Sequence, residues 1–158
     1  LDLEQKVLHR NESFENSGPI PPQVGMPTTY TVIWTVDSRY NDARNAVVKA
    51  RLPSEVEPTG KQMPQSAQLS YNSEIREVEW HVGDVATGAR GGEVSLVAFQ
   101  IKFIPSAGQR GAAPQLIYEA RVEGEDAFTS RQISDTASGV PSTLPDDPSV
   151  SEDTGRVQ

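Results

Sequence analysis

The feature that most constrains this chain is a two-residue alternation of apolar and polar side chains, which recurs in several short segments. In residues 28–37 the large side chains Tyr30, Val32, Trp34 and Val36 alternate mostly with threonines. Successive side chains of a β-strand point to opposite faces, so this pattern predicts a strand with one buried face. The alternation returns in residues 46–52, 78–82, 97–103 and 116–122. No useful length of chain has a helical period, so an all-β fold is predicted.

Short strands separated by turns that contain glycine and proline are typical of a β-sandwich. The chain has 158 residues, including 12 glycines and 12 prolines, which favours a single domain with many turns. We predict about seven to nine strands with Greek-key connections. Side chains of the inward-facing rows form the predicted core: Trp34, Val48, Trp80, Phe99, Ile101 and Tyr118. For the two tryptophans an exposed aromatic platform for sugars is the alternative.

The pattern divides the chain into three regions. Residues 1–26 are predicted to be an N-terminal strand and a proline-rich linker, residues 27–136 the sandwich, and residues 137–158 an acidic tail outside the core. Leu1, Leu3 and Val7 mark a candidate assembly strand. The linker that follows spans up to ~50 Å when extended, so this strand is able to pair with its own sheet or with another molecule.

Composition excludes several classes of function. The net charge is −8 without a basic cluster, which disfavours nucleic acid and anionic membranes as partners. Cysteine is absent, so disulfides, thiolate zinc sites and a cysteine nucleophile are excluded. No apolar run reaches the ~18 residues of a membrane span. The chain begins without methionine or a leader pattern, which predicts a mature or excised fragment.

Acidic residues give weak candidates for calcium. Asp84, Asp146 and Asp147 carry carboxylates of the kind that calcium prefers, but no Asp-x-Asp-x-Asp-Gly loop is present. A turn for Asp84 and a solubilising tail for the others are the simpler interpretations. Glu77, Glu79 and His81 share a strand face at a spacing of ~6.6 Å, which is typical of a solvated face. We therefore predict no cofactor and no metal.

Catalytic groups are scarce. His9 and His81 are far apart in sequence, and no serine has the surroundings of an activated nucleophile, so no enzymatic activity is predicted. Asn11 begins an Asn-Glu-Ser sequon in the linker, a candidate glycosylation site in a glycosylating host.

Two segments carry a resemblance to a known family. YTVIWTVDSRYNDARNAVVKARLP and VEWHVGDVATGARGGEVSLVAFQIKF resemble the repeated Ig-like (DUF11-like) modules of bacterial and archaeal cell-surface proteins, over about residues 25–136. The match is carried by Tyr30, Asn45, Val48, Leu52, Pro53, Trp80, Gly83, Asp84 and Val85. The resemblance implies an Ig-like fold, an extracellular setting and no catalytic residues. Some surface Ig-like domains carry a lysine isopeptide cross-link, for which Lys6 is the candidate here.

These observations predict a structural or assembly module: a spacer, a stalk, or a filament or surface-layer subunit. Its partners would be neighbouring Ig-like modules or copies of itself. The alternative is an adhesive module that binds a glycan or a protein through loops such as residues 39–44 and 90–92.

Overall fold

The computed structural model describes residues 1–11, 13–88 and 94–158. These residues form eleven strands and one short 3-10 helix at Ala107–Gln109. The strands are β1 (Asp2–Leu8), β2 (Thr28–Asp37), β3 (Ala43–Arg51), β4 (Val56–Met63), β5 (Gln68–Asn72), β6 (Glu77–Val85), β7 (Ser95–Phe103), β8 (Gln115–Ile117), β9 (Ala120–Asp126), β10 (Gln132–Ala137) and β11 (Val140–Pro141). No described helix is long and apolar enough to cross a membrane.

Two antiparallel sheets pack face to face. One has four strands in the order β1-β2-β7-β4, the other has five in the order β10-β9-β3-β6-β5, and β8 and β11 form a separate small pair. Strands distant in sequence are neighbours, as in β2 beside β7 and β3 beside β9, which is what Greek-key connections produce. The prediction of an all-β, Ig-like sandwich is confirmed.

The core lies between the two sheets. Trp34, Val48, Trp80, Phe99 and Ile101 are all buried there, as the alternation predicts. The rings of Trp34 and Phe99 meet edge to face, with centroids 4.9 Å apart. Edge-to-face contacts of this kind add to the stabilisation that burial of the rings provides. Neither tryptophan is therefore placed as an exposed platform for sugars.

Tyr118 is a correction to the predicted core, because its side chain is 47% exposed. The apolar row from Leu116 to Val122 crosses a break between β8 and β9, and residues 118 and 119 belong to neither strand. Leu116 and Ile117 are both buried although they are adjacent in sequence. The two-residue parity does not continue across this break, and Tyr118 faces outward.

The structure contradicts the prediction of an exposed tail after Ala137. Val140, Leu144, Val150 and Val157 are buried and belong to the core cluster. Successive backbone turns hold this C-terminal segment (residues 140–158), as in the bond from Asp147 N–H to Leu144 C=O at 3.0 Å. Turns place buried side chains at irregular spacing, which is why the segment lacks the strand period.

β1 pairs with β2 of its own chain, from Asp2 opposite Asp37 to Leu8 opposite Thr31. Leu3 and Val7 are buried, and Leu1 packs at the edge of the core. The linker is also tied down: the backbones of Ser17 and Thr29 are joined by a hydrogen bond of 2.9 Å. Within this single chain the candidate assembly strand is thus a strand of its own sandwich.

Candidate interaction sites at the two ends of the sandwich

The described chain enters and leaves the sandwich at opposite ends. Asp2 is paired with Asp37, the last residue of β2. Gln158 donates to Pro22 C=O at 2.8 Å and accepts from Val24 N–H at 3.1 Å, just before β2 begins. We name residues 1–2, 38–42 and 126–131 the N-terminal pole, and residues 22–26, 104–111 and 157–158 the C-terminal pole.

The N-terminal pole presents two aromatic rings to solvent. Tyr40 is 83% exposed in the β2–β3 loop, and Phe128 is 84% exposed in the β9–β10 turn. The two loops are joined by a backbone bond of 2.8 Å from Ala127 N–H to Asp42 C=O. Exposed aromatic rings of this size are uncommon on a soluble surface and mark candidate contact sites.

Asp126 fixes the backbone that carries these rings. Its Oδ1 accepts from Phe128 N–H and Thr129 N–H, both at 2.8 Å, and its Oδ2 accepts from the Asn41 side-chain amide at 3.1 Å. The bond from the Thr129 backbone, followed by that from Asn41, lowers the pKa of Asp126. The carboxylate is therefore charged at neutral pH, and its hydrogen bonds hold the two loops together.

A shallow cleft of about 290 Å3 lies beside Tyr40, lined by Leu1, Asp2, Arg39, Tyr40, Asp126 and Ile133 among others. Arg39 Nε is 2.6 Å from an Asp2 carboxylate oxygen, and both side chains are largely exposed. Exposed ion pairs of this kind contribute little to stability. Of the two predicted binding loops, residues 39–44 lie at this pole up to residue 42 and then enter β3, whereas residues 90–92 lie outside the described residues.

The C-terminal pole is built from the last residues and two earlier loops. Val157 donates to Ala112 C=O at 2.9 Å and accepts from Gly111 N–H at 2.7 Å. Gly25 N–H donates to Pro105 C=O at 3.0 Å. Met26 and Ile104 remain 48% and 39% exposed at this junction.

Asp147 connects the C-terminal segment to the end of β1. Its Oδ2 accepts from the backbone N–H groups of His9 (2.7 Å) and Arg10 (3.1 Å), and its Oδ1 accepts from Ser149. Burial raises the pKa of Asp147, but the bonds from Ser149, Arg10 and His9 outweigh burial and lower it. We call this contact the Asp147 latch. Sequence analysis missed it, because a hydrogen-bonded aspartate in a turn has no motif of its own.

The three calcium candidates do not form a site. Both carboxylate oxygens of Asp147 accept the hydrogen bonds of the latch. Asp84 Oδ1 accepts from Asn45 N–H at 3.2 Å beside a bulge in β3. Asp146 is exposed. In the described part of the chain, no three His, Cys, Asp or Glu side chains are arranged as ligands of one metal ion.

The candidate catalytic, cross-linking and glycosylation residues do not meet in one site. His9 Nδ1 is 3.0 Å from Thr29 C=O in the four-stranded sheet, whereas His81 lies on β6 of the other sheet with Nε2 3.2 Å from Glu79. Lys6 is ion-paired with Glu4 at 3.0 Å on the exposed face of β1, which contradicts a buried cross-link at that position. Asn11 accepts from the N–H of Phe14 at 3.3 Å in a local turn.

Comparison with known proteins identifies the fold. No protein-family model and no curated protein matches the chain. Among solved structures, the chain is similar to the major pilin subunit BcpA of Bacillus cereus, with a TM-score of 0.54 and 13% identity. It is also similar to the major pilin SpaD of Corynebacterium diphtheriae (0.53, 10%) and to a fragment of the major pilin GBS80 of Streptococcus agalactiae (0.53, 6%).

Each similarity covers 89% of this chain, but only 39%, 35% and 55% of the respective pilin structures. Identities this low establish a shared fold alone. The chain has the Ig-like sandwich that recurs within these pilins, and it spans about half of their length or less.

Proposed function

We propose that this chain is a structural module of a prokaryotic extracellular surface protein, in which it acts as a spacer, stalk or filament subunit. The observation that carries the proposal is the placement of Leu1 and Gln158 at opposite poles. A residue rises about 3.4 Å along an antiparallel strand, so the ten-residue β2 alone separates the poles by roughly 34 Å. Modules joined through such ends extend a chain with little folding back.

The first strand is well suited to carry tension along that axis. A pull on Leu1 acts along β1, whose seven residues are all paired with β2. Hydrogen bonds of an antiparallel pair lie perpendicular to the strands, so this pull loads the bonds together. The Asp147 latch holds the far end of β1 to the C-terminal segment.

The pilin fold supports the same function. Three similar structures are major pilins, and each is longer than this chain. The resemblance of residues 25–136 to repeated Ig-like modules of surface proteins agrees with a module that occurs in series. On this proposal the chain is not an enzyme, it functions outside the cell, and its partners are neighbouring Ig-like modules or further copies of itself.

Small-angle X-ray scattering of two copies joined directly from Gln158 to Leu1 tests the proposal. The maximum dimension should be about twice that of one copy, because a short link holds the modules end to end. The single copy, and two copies joined through a long Gly/Ser linker, serve as controls. A joined pair no longer than one copy would show side-by-side packing and would exclude a spacer.

Adhesion to a glycan or protein is the second candidate function. The observation that favours it is the pair of exposed rings, Tyr40 and Phe128, on loops that Asp126 fixes. Replacing both rings by serine should abolish binding to a glycan array if this pole is an adhesive site.

A further inference from the structure

Each pole of the sandwich displays a pair of exposed large apolar side chains. Tyr40 and Phe128 form the pair at the N-terminal pole, and Met26 and Ile104 form the pair at the C-terminal pole. Burial of these side chains against a partner would be favourable, so each pole is a candidate docking surface.

The backbone under both pairs is fixed by hydrogen bonds. Asp126 joins the two loops of the N-terminal pole. At the C-terminal pole, Met26 N–H donates to Gln23 C=O and Ile104 N–H donates to Glu55 C=O, both at 3.0 Å. A surface that is already ordered loses little conformational entropy when it binds.

The two surfaces differ in a complementary way. The N-terminal pole presents flat aromatic rings, and the C-terminal pole presents the aliphatic Ile104 and the flexible Met26. The thioether of methionine makes favourable contacts with aromatic rings. The charges also differ. Asp126 is a half-buried carboxylate with a lowered pKa at the first pole. Arg110, in the turn after the 3-10 helix at the second pole, is exposed and has no ion-pair partner among the described residues.

We propose that the N-terminal pole of one copy docks on the C-terminal pole of a second copy, with Tyr40 and Phe128 against Met26 and Ile104. This inference rests on the proposed spacer function and names its partner. Since the two surfaces differ and lie at opposite ends, the contact is heterologous: it repeats into a linear array instead of closing as a symmetric dimer. The Asp126 and Arg110 charges orient the approach.

Sedimentation analysis of two complementary variants of the 158-residue chain tests the contact. The head variant carries Tyr40→Ser and Phe128→Ser, and the tail variant carries Met26→Ser and Ile104→Ser. Wild type should form species that grow with concentration beyond the dimer. Each variant alone should remain monomeric, because it retains only one half of the contact. An equimolar mixture should form a one-to-one dimer and nothing larger, since each dimer leaves only defective poles free.

Met63→Ser is the matched control, because it removes an exposed apolar side chain from β4, opposite Ala98 in the middle of β7, and should associate like wild type. Circular dichroism verifies that every variant is folded. A wild type that is monomeric at millimolar concentration, a wild type that stops at a dimer, or a mixture that stays monomeric overturns the proposal. So does binding of chitotetraose by a monomeric wild type that the head variant loses, which assigns the aromatic pole to glycans. None of these outcomes alters the scattering test of directly joined copies.

Discussion

At the scale of single residues, two buried polar side chains in the four-stranded sheet differ in whether their hydrogen-bonding groups have partners. Gln5 on β1 is fully used: its Oε1 accepts from Trp34 Nε1–H at 2.7 Å, and its Nε2 donates to the C=O groups of Tyr118 and Ser138, each at 3.1 Å. Tyr30, on the neighbouring strand, has a buried hydroxyl with no hydrogen-bond partner among the described residues. Burial raises the pKa of this phenol.

Replacing Gln5 should reveal how much its three bonds contribute. Gln5→Met keeps the volume but leaves Trp34 Nε1–H buried without an acceptor, a loss of about 1–3 kcal/mol in the free energy of unfolding. Gln5→Glu keeps an acceptor for Trp34 but removes the donor and buries a charge, so it should lose more at pH 7. Urea denaturation at pH 7 measures both. A Gln5→Glu variant as stable as wild type would contradict the assigned bonds.

Tyr30→Phe should not destabilise the protein, because the hydroxyl that it removes is buried away from water without a hydrogen bond to compensate. We expect the free energy of unfolding to stay equal or to rise by up to about 1–2 kcal/mol. Tyr118→Phe, at a partly exposed position, is the control and should change nothing. A clear loss in Tyr30→Phe alone would reveal a partner for the hydroxyl.

The observed burial of individual side chains shows where the alternation pattern predicts the core correctly and where it does not. Trp34 and Phe99 lie inside uninterrupted strands, where the position of one side chain determines the face of the next. Tyr118 lies where one strand ends and another begins, and a local break of this kind depends on contacts with Arg51 and Gln5 that are remote in sequence. Parity therefore identifies core residues within strands but not at strand junctions.

At the scale of elements, the C-terminal segment packs on the hydrophobic core and is not an exposed tail. Leu144, Val150 and Val157 are buried at spacings of six and seven residues, and neither the strand period nor the helix period fits both spacings. The prolines and the other acidic residues between them occupy exposed turns, whereas Asp147 is buried in its latch. The composition of such a segment resembles that of a disordered tail, and only its contacts with the sandwich distinguish the two.

Deleting residues 142–158 should destabilise the sandwich severely. Each of the three buried apolar side chains contributes about 1.5–3 kcal/mol by burial, so a loss of at least about 4 kcal/mol is expected. Thermal unfolding of the truncated chain measures this loss. Leu144→Ala alone should cost about 2–5 kcal/mol, whereas Glu152→Ala at an exposed position should cost under about 0.5 kcal/mol. A truncated chain with an unchanged melting temperature would disprove docking of the segment.

At the scale of the whole molecule, acid should weaken the fold through its latched carboxylates. The pKa of Asp147 is lower in the folded protein than its ordinary value. A lowered pKa stabilises the fold above the unfolded value, and that contribution disappears as the pH falls through the folded value. Stability should therefore be level from neutral pH to about 5 and decline below about pH 4.

Comparison of urea midpoints between pH 7 and pH 2 tests this expectation. Asp147→Asn should be less stable than wild type at pH 7 and should decline less on acidification, because its latch no longer depends on ionisation. Asp146→Asn, at the exposed neighbouring position, should follow the wild-type curve. Parallel curves for wild type and Asp147→Asn would exclude the latch as an acid-sensitive element.

The architecture of the whole molecule was predictable, whereas the arrangement of loops at its two poles was not. Alternation between apolar and polar residues reports which side of a sheet is buried, and that is sufficient for the two-layer sandwich. The poles depend on which loops meet, as residues 40 and 128 do through Asp126. No local pattern contains that information.

The Asp147 latch also has a consequence for the order in which the fold is completed during synthesis. His9 and Asp147 are 138 residues apart, so β1 is synthesised long before the residue that caps its end. Contacts between such distant residues slow folding. Until then β1 lacks this cap, and as an edge strand of its sheet it is open to pairing with another nascent chain. We therefore expect a pause in translation between β10 and Asp147 to favour misassembly, because β1 then stays uncapped for longer.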